Sequence, residues 1–230
     1  MKKEYANLNV IGCDETGVGD YFSPLVAAAV FVPKQSVYKL EQMGIKDSKK
    51  ITDSKILQLA DKIKPQVIHR VKHLTQTGYN KLNKNLNANE LKMFLHMSAI
   101  NLVEDKVDSA DIIILDQFSS ANSIKKYYEK LGKSSFNFKK FKTKLKLVEK
   151  GESEHVAVAA ASILARAFLL EYMEKQNSKW KTVFPLGTNK IVEEFAIKFI
   201  KKHGKEKLDE VAKISFKTTD KLFEMLKDKK

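Results

Sequence analysis

The chain holds a single cysteine, Cys13, in 230 residues. That excludes an intrachain disulfide and any zinc site built on several thiolates, and it suits a reducing compartment. Proline is scarce, with four in all, and no Pro/Ser-rich linker or internal repeat divides the chain. Acids are the minority charge: 28 Asp and Glu stand against 42 Lys and Arg, a net charge of +14. This excess leaves the fold open and favours a polyanionic partner, nucleic acid being the commonest, although a merely lysine-rich chain would show the same bias. Long apolar runs are lacking too. Residues 1–7 carry cations with no apolar stretch behind them and do not read as a signal peptide. Leu25–Val32 is short, and residues 156–170 are interrupted by Ser162 and Arg166, so neither run reaches the roughly 20 residues of a membrane helix. A cytoplasmic monomer with no membrane partner is expected.

What is present is enough for a globular protein. Apolar residues make up 43%, sufficient for a core, and the length fits one domain. Residues 8–13 read as a strand ending at Asp14-Glu15. A turn marked by Gly17 and Gly19 follows, then a strand over Leu25–Val32 stopped by Pro33. Thr52 is a plausible N-cap for a helix over Asp53–Ile63 that Pro65 ends. Strands are expected over 66–74, 111–115 and 143–148. Helices are expected over 89–107, 123–131, 153–175, 191–202 and 205–213. Three early strands followed by alternation of strands and helices make an α/β chain with a mixed sheet covered by helices.

Four acids fall where a strand stops or a helix starts. Asp14 and Glu15 end the first strand, Asp116 ends the fourth, and Glu152 precedes the long helix, with Glu154 two residues on as a reserve. Sites in open α/β sheets gather just beyond strand ends. Adjacent carboxylates on a strand point to opposite faces, so their convergence requires the strand to break off there, with a divalent cation offsetting their repulsion. An all-oxygen set selects a hard ion such as Mg²⁺ or Mn²⁺. Ordinary solvated acids at element ends have the same pattern, and spacing alone does not bring the four together. The Gly17-x-Gly19 pair does not make a dinucleotide loop, because Phe22 stands at the third glycine position and a strand follows.

Taken whole, Asp14-Glu15-Thr16-Gly17-Val18-Gly19-Asp20-Tyr21-Phe22-Ser23-Pro24 closely resembles the D-E-x-G-x-G-x-x-x-G-P signature of type 2 ribonucleases H. Val18 points to the HIII branch, since the HII branch usually has Arg there. Further matches follow in the family's order: Asp47-Ser48-Lys49-Lys50, Asn85-Leu86-Asn87 with Leu95-His96, Asp116-Gln117-Phe118, and residues 159–166 with Glu152 upstream. The likeness covers about residues 8–220.

The resemblance implies a ribonuclease H-like mixed five-stranded sheet flanked by helices, with C-terminal helices. A single catalytic domain would have its core over about 8–185 and a helical extension over 186–230. It implies that Asp14, Glu15, Asp116 and Glu152 hold two Mg²⁺ or Mn²⁺ ions ~4 Å apart for in-line hydrolysis of the RNA strand of an RNA–DNA hybrid. The products would be 3′-hydroxyl and 5′-phosphate ends. Thr16, Gly17, Val18 and Gly19 would place backbone groups against the RNA strand and its 2′-hydroxyls. Ser48, Lys49 and Lys50 would contact phosphates, Asn87 would donate to nucleic acid, and Ser162 and Arg166, one helical turn apart, would reach a phosphate. Ten lysines between Lys125 and Lys150, with Phe136, Phe138 and Phe141 among them, suit either a hybrid-binding surface or a solvated face over tucked-in aromatics. His96, His155 and His203 show no ligand spacing.

Two departures stand out. Ser23 replaces the glycine usual before Pro24, and Ile214-Ser215-Phe216 stands where the HIII branch tends to have His-Phe. HIII proteins also carry an N-terminal substrate-binding domain, whereas the core strand here begins near residue 8, so affinity is expected to rest on the basic surface. The competing readings are HII-like excision of single embedded ribonucleotides, a non-catalytic hybrid-binding module and a two-metal deoxyribonuclease.

Overall fold

The structure, a computed structural model, describes residues 3–45 and 51–227. Its centre is Val10–Thr16 (β1), whose inward residues are fully buried on both sides. Leu25–Val32 (β2) pairs with it antiparallel, in register from Val10↔Val32 to Thr16↔Val26. Ile68–Leu74 (β3) extends β2 antiparallel. On the other side of β1, Ile112–Asp116 (β4) and Leu145–Val148 (β5) are added parallel, giving the order β3-β2-β1-β4-β5. The mixed five-stranded sheet matches the expectation from sequence. Lys64–Gln66 form a 3₁₀ turn ahead of β3, where a strand is expected from residue 66, because Pro65 fits a helical turn and lacks a ladder donor.

The helices are α1 (Val37–Gln42), α2 (Asp53–Ile63), α3 (Gln76–Asn83), α4 (Ala88–Glu104), α5 (Ala121–Gly132), α6 (Gly151–Glu154), α7 (Val156–Trp180), α8 (Lys190–His203) and α9 (Lys217–Lys227). Strand alternation divides β1 between two layers. Val10 packs with Ala157, Ala160 and Ala161 of α7. Ile11 and Cys13 pack with Ala99, Ile100 and Val103 of α4 on the opposite face. Gly12 belongs to the α7 face, and a Cβ there would lie 2.2 Å from the Ala157 carbonyl carbon and 2.3 Å from Val158 N. Only glycine lets the start of α7 rest on the strand this closely.

Two helix expectations change. The long helix is interrupted at His155, whose extended backbone and Nδ1, accepting from Ala157 N–H at 3.1 Å, cap α7. α7 then runs 25 residues, long and apolar enough to cross a membrane by length and composition, but 67% of its most apolar window is buried inside the protein. Residues 205–213 form only a 3₁₀ turn at Glu206–Glu210, since Leu208, Val211 and Ala212 mimic helical spacing while Lys213 turns inward. α1, α3 and α9 are additions. Residues 186–227 share the main core, through Val192, Ala196, Phe199, Leu208, Val211 and Leu222.

Candidate active site

β1 does not break off at its acids. It pairs with β2 through Asp14↔Ala28, Glu15↔Ala27 and Thr16↔Val26, so the two carboxylates do leave on opposite faces. Asp14 turns to the α7 side and accepts a hydrogen bond from Ser162. Glu15 turns to the α4 side, where His96 Nε2–H donates to Oε2 at 2.9 Å and Lys92 Nζ stands 3.8 Å from Oε1. They meet a common space because the β1–β4 ladder ends at Cys13↔Leu115. Asp14, Glu15 and Asp116 all stand past the last paired residues of that ladder. The resulting cavity, of about 420 Å³, is lined by Asp14, Glu15, Thr16, Asp116, Ser162 and Arg166 together with Ile51, Asp53 and Ile56.

The acids are placed by backbone and side-chain donors. Asp14 accepts from the Glu15 N–H at 2.8 Å. Its carboxyl is pushed up to about 8 by burial, by the adjacent Glu15 charge and, less, by Asp116, with Ser162 pulling the other way. Asp116 Oδ1 accepts from Gly151 N–H at 2.7 Å, tying the end of β4 to the start of α6. Glu152 is the next residue. It is half-buried, as is Glu154, and neither lines the cavity wall.

Among the described residues no three Asp, Glu, His or Cys side chains form a ready-made metal cage. The donor set still fits hard divalent ions. Mg²⁺ keeps several waters and needs only one or two carboxylates, and Asp14, Glu15 and Asp116 line one cavity.

The remaining expected contacts divide. Gly17 is buried with φ +78°, and a Cβ would meet the Pro24 carbonyl oxygen at 2.1 Å, while Val18 and Gly19 are exposed beyond it. Ser23 fits the site of the usual glycine: fully buried, its hydroxyl is within reach of Asp20 Oδ2 at 3.3 Å and the Pro24 carbonyl at 3.2 Å. Asn87 is the N-cap of α4. Its Oδ1 accepts from the N–H groups of Asn89 and Glu90 at 3.0 Å, and Glu90 reciprocates on the Asn87 N–H. Arg166 is held by Asp53, which accepts three hydrogen bonds of 3.0–3.2 Å from its guanidinium. Ser48, Lys49 and Lys50 lie outside the described residues.

All ten lysines of the 125–150 stretch are exposed, although Lys130 pairs with Glu90 and Lys139 and Lys142 with Asp105. Phe141 packs on Tyr128, whereas Phe136 remains 40% exposed beside Phe94 and Phe138. The stretch therefore combines both readings of it.

Sequence reasoning misses Lys92 and Asp53, and it places His96 in a family motif without finding its contact with Glu15. Lys92 and His96 were legible as an i, i+4 pair on one face of α4. Phe118, two residues after Asp116, joins them: its ring stacks on His96 at 5.6 Å and lies under Lys92 Nζ at 4.5 Å.

The family model for ribonuclease HII matches residues 11–219. Ribonuclease HIII of Enterococcus faecalis (strain ATCC 700802 / V583) is 36% identical over 229 residues, 98% of this chain and 73% of the relative. The chain belongs to the type 2 ribonuclease H family, in its ribonuclease HIII branch. Ribonuclease HIII of Staphylococcus aureus (strain MSSA476) is 37% identical over 226 residues, covering 97% of this chain and 70% of its own. Among solved structures, Bst-RNase HIII in complex with Mn²⁺ superimposes with a TM-score of 0.88 at 32% identity, covering 96% of this chain and 71% of that one.

Proposed function

We propose that this chain is an endoribonuclease that cuts the RNA strand of RNA–DNA hybrids, with Mg²⁺ or Mn²⁺ as cofactor. The observation that carries the reading is the convergence of Asp14, Glu15 and Asp116 on one cavity from two strands. Membership of the ribonuclease HIII branch and the Mn²⁺ complex of its Bst relative support the same chemistry.

Asp14, Glu15 and Asp116 would hold the ions, with Glu152 completing the set from α6. When bound, the ions supply the charge neutralisation and Lewis acidity that in-line displacement at a phosphodiester needs. The chain's own residues do the rest. Ser162 orients Asp14, His96 and Lys92 orient Glu15, and Gly151 orients Asp116. Arg166, exchanged from Asp53 to a substrate phosphate, contributes a planar, bidentate clamp. The backbone of residues 16–19 faces the RNA strand, and the exposed lysines between 125 and 150 hold the duplex without reading its sequence. We place the enzyme in the cytoplasm, acting as a monomer built on one catalytic domain.

The test is cleavage of an end-labelled RNA–DNA hybrid with Mg²⁺ or Mn²⁺, beside a duplex carrying one ribonucleotide and an Asp116→Asn control. Cleavage confined to the hybrid and lost in the control supports the proposal. Cleavage at the single ribonucleotide moves the activity to the HII type, and binding without cleavage under either metal overturns the enzymatic reading.

A further inference from the structure

Lys213 is fully buried, a rare position for a lysine. Its ammonium donates to the carbonyl oxygen of Gly17, and among the described residues no carboxylate pairs with it directly; Asp20 is the acid whose charge acts on it. The rings of Tyr79 and Phe216 flank Nζ at 5.6 and 5.2 Å. The surrounding bonds tie the same loop to Gly187 and to the C-terminal segment. Lys213 N–H donates to the Tyr21 carbonyl, Tyr21 N–H donates to Gly187, and Gly187 N–H donates to Asp20 Oδ1 at 2.7 Å. The Tyr21 and Thr219 hydroxyls lie 2.8 Å apart. The C-terminal segment thus forms the floor beneath the loop that follows the two catalytic acids of β1.

A trans peptide points its C=O and N–H in opposite directions. With the Gly17 carbonyl drawn inward to Lys213, the N–H of the same peptide, which belongs to exposed Val18, is directed outward. A positive donor on a carbonyl also polarises the peptide and makes its N–H a stronger donor. Resting on the ribonuclease reading above, we infer that Lys213 is a positioning residue for RNA-strand recognition: it fixes and polarises the Gly17–Val18 peptide so that the Val18 N–H is preset to donate to an oxygen of the RNA strand.

The isolation of the ammonium supports this role. Burial pulls Lys213 down to about 7, with the Asp20 charge opposing. Leucine or methionine would fill the space without that cost. The groups facing Nζ are Asp20 from the loop, Tyr79 from α3 and Phe216 ahead of α9, none of which replaces its contact with Gly17.

The test measures the affinities of the full chain for an RNA–DNA hybrid and for the DNA duplex of the same sequence, in an Asp116→Asn background so that binding is read without cleavage. Lys213→Met is expected to lower the hybrid-to-duplex affinity ratio about tenfold or more, the scale of a lost charged hydrogen bond, while duplex affinity stays within about twofold. Lys213→Gln, which keeps an N–H donor but no charge, should fall between. In the otherwise wild-type enzyme the loss should appear in KM more than in kcat. A ratio unchanged in a folded Lys213→Met protein overturns the inference, as does an equal loss on both duplexes. Should Lys213→Met fail to fold by circular dichroism, Lys213→Gln decides alone, and an unchanged ratio there overturns it. A parent protein with no preference for the hybrid would instead sink the ribonuclease reading itself.

Discussion

His96 Nε2 lies 2.9 Å from Glu15 Oε2, and the imidazole is completely buried against the ring of Phe118. With Lys92 beside it, α4 supplies both partners of a carboxylate that faces away from the helix bearing Ser162. Removing the imidazole leaves a half-buried carboxylate short of a donor. His96→Ala should therefore cost about 1–3 kcal/mol in urea unfolding. It should also lower kcat/KM by about 10- to 100-fold, the usual scale for a lost orienting partner of a metal-binding group. Full activity at reduced stability would show that Glu15 needs no orienting partner.

Asp14 makes the metal-free protein sensitive to pH. An unfolded aspartate titrates near 3.8 and folded Asp14 near 8, so between these values the folded state holds the extra proton. The stability this contributes is complete below the lower value and is lost as pH rises towards the upper one. In EDTA, unfolding free energy should fall across that window, and Asp14→Asn should flatten the fall. Mg²⁺ or Mn²⁺ should restore stability most at the alkaline end, and binding at lower pH within the window should release the Asp14 proton. A flat wild-type curve in EDTA would contradict the raised value.

On the proposed role of Arg166, Asp53 would compete with substrate for its guanidinium. The pair is partly solvated, with side chains 28% and 55% exposed, so Asp53→Asn should change stability by no more than about 1 kcal/mol. It frees the guanidinium for a phosphate, and KM for the hybrid should fall while kcat changes little. A raised KM would mean that Asp53 aims Arg166 rather than withholding it.

Gly12→Ala tests the contact on which the site's geometry rests. A methyl group 2.2 Å from the Ala157 carbonyl carbon has to push α7 off β1. Overpacking of this kind costs about 1–3 kcal/mol or more. The shift would carry Ser162 away from Asp14, so metal affinity should drop along with the melting temperature. Unchanged metal binding in a destabilised variant would uncouple α7 from the site.

Much of this was legible in the residues. The sheet could be read because β1, β2 and β4 are unbroken apolar runs, and α2 because Thr52 and Pro65 bracket it; its bounds match those expected. Asp14, Glu15 and Asp116 could be located because they close such runs. How the first two meet could not. It depends on β4 pairing no further than Leu115, a tertiary register with no local signature. The break at His155 was hidden for a similar reason, since an imidazole acting as N-cap looks like any other histidine in an apolar stretch. Asn87 carries a second signal: besides its place in a family motif, the Glu three residues later already spelled the capping box in which its Oδ1 accepts. Lys213 was invisible, because nothing in its neighbours marks one lysine among so many as the buried one.

The split of Asp14 and Glu15 between the two faces of β1 means that each acid answers to a different hydrophobic layer. Slackness in the α7 layer reaches the cavity through Ser162, and slackness in the α4 layer reaches it through His96. β1 carries both acids and contributes to both layers, as β2 and β4 also do. A cold-adapted or drifting relative could thus retune the separation of its carboxylates by repacking either layer, with all four acids and every cavity residue left intact. Substitutions at Ala99 or Ala161, which touch neither substrate nor metal, would then register as changes in metal preference.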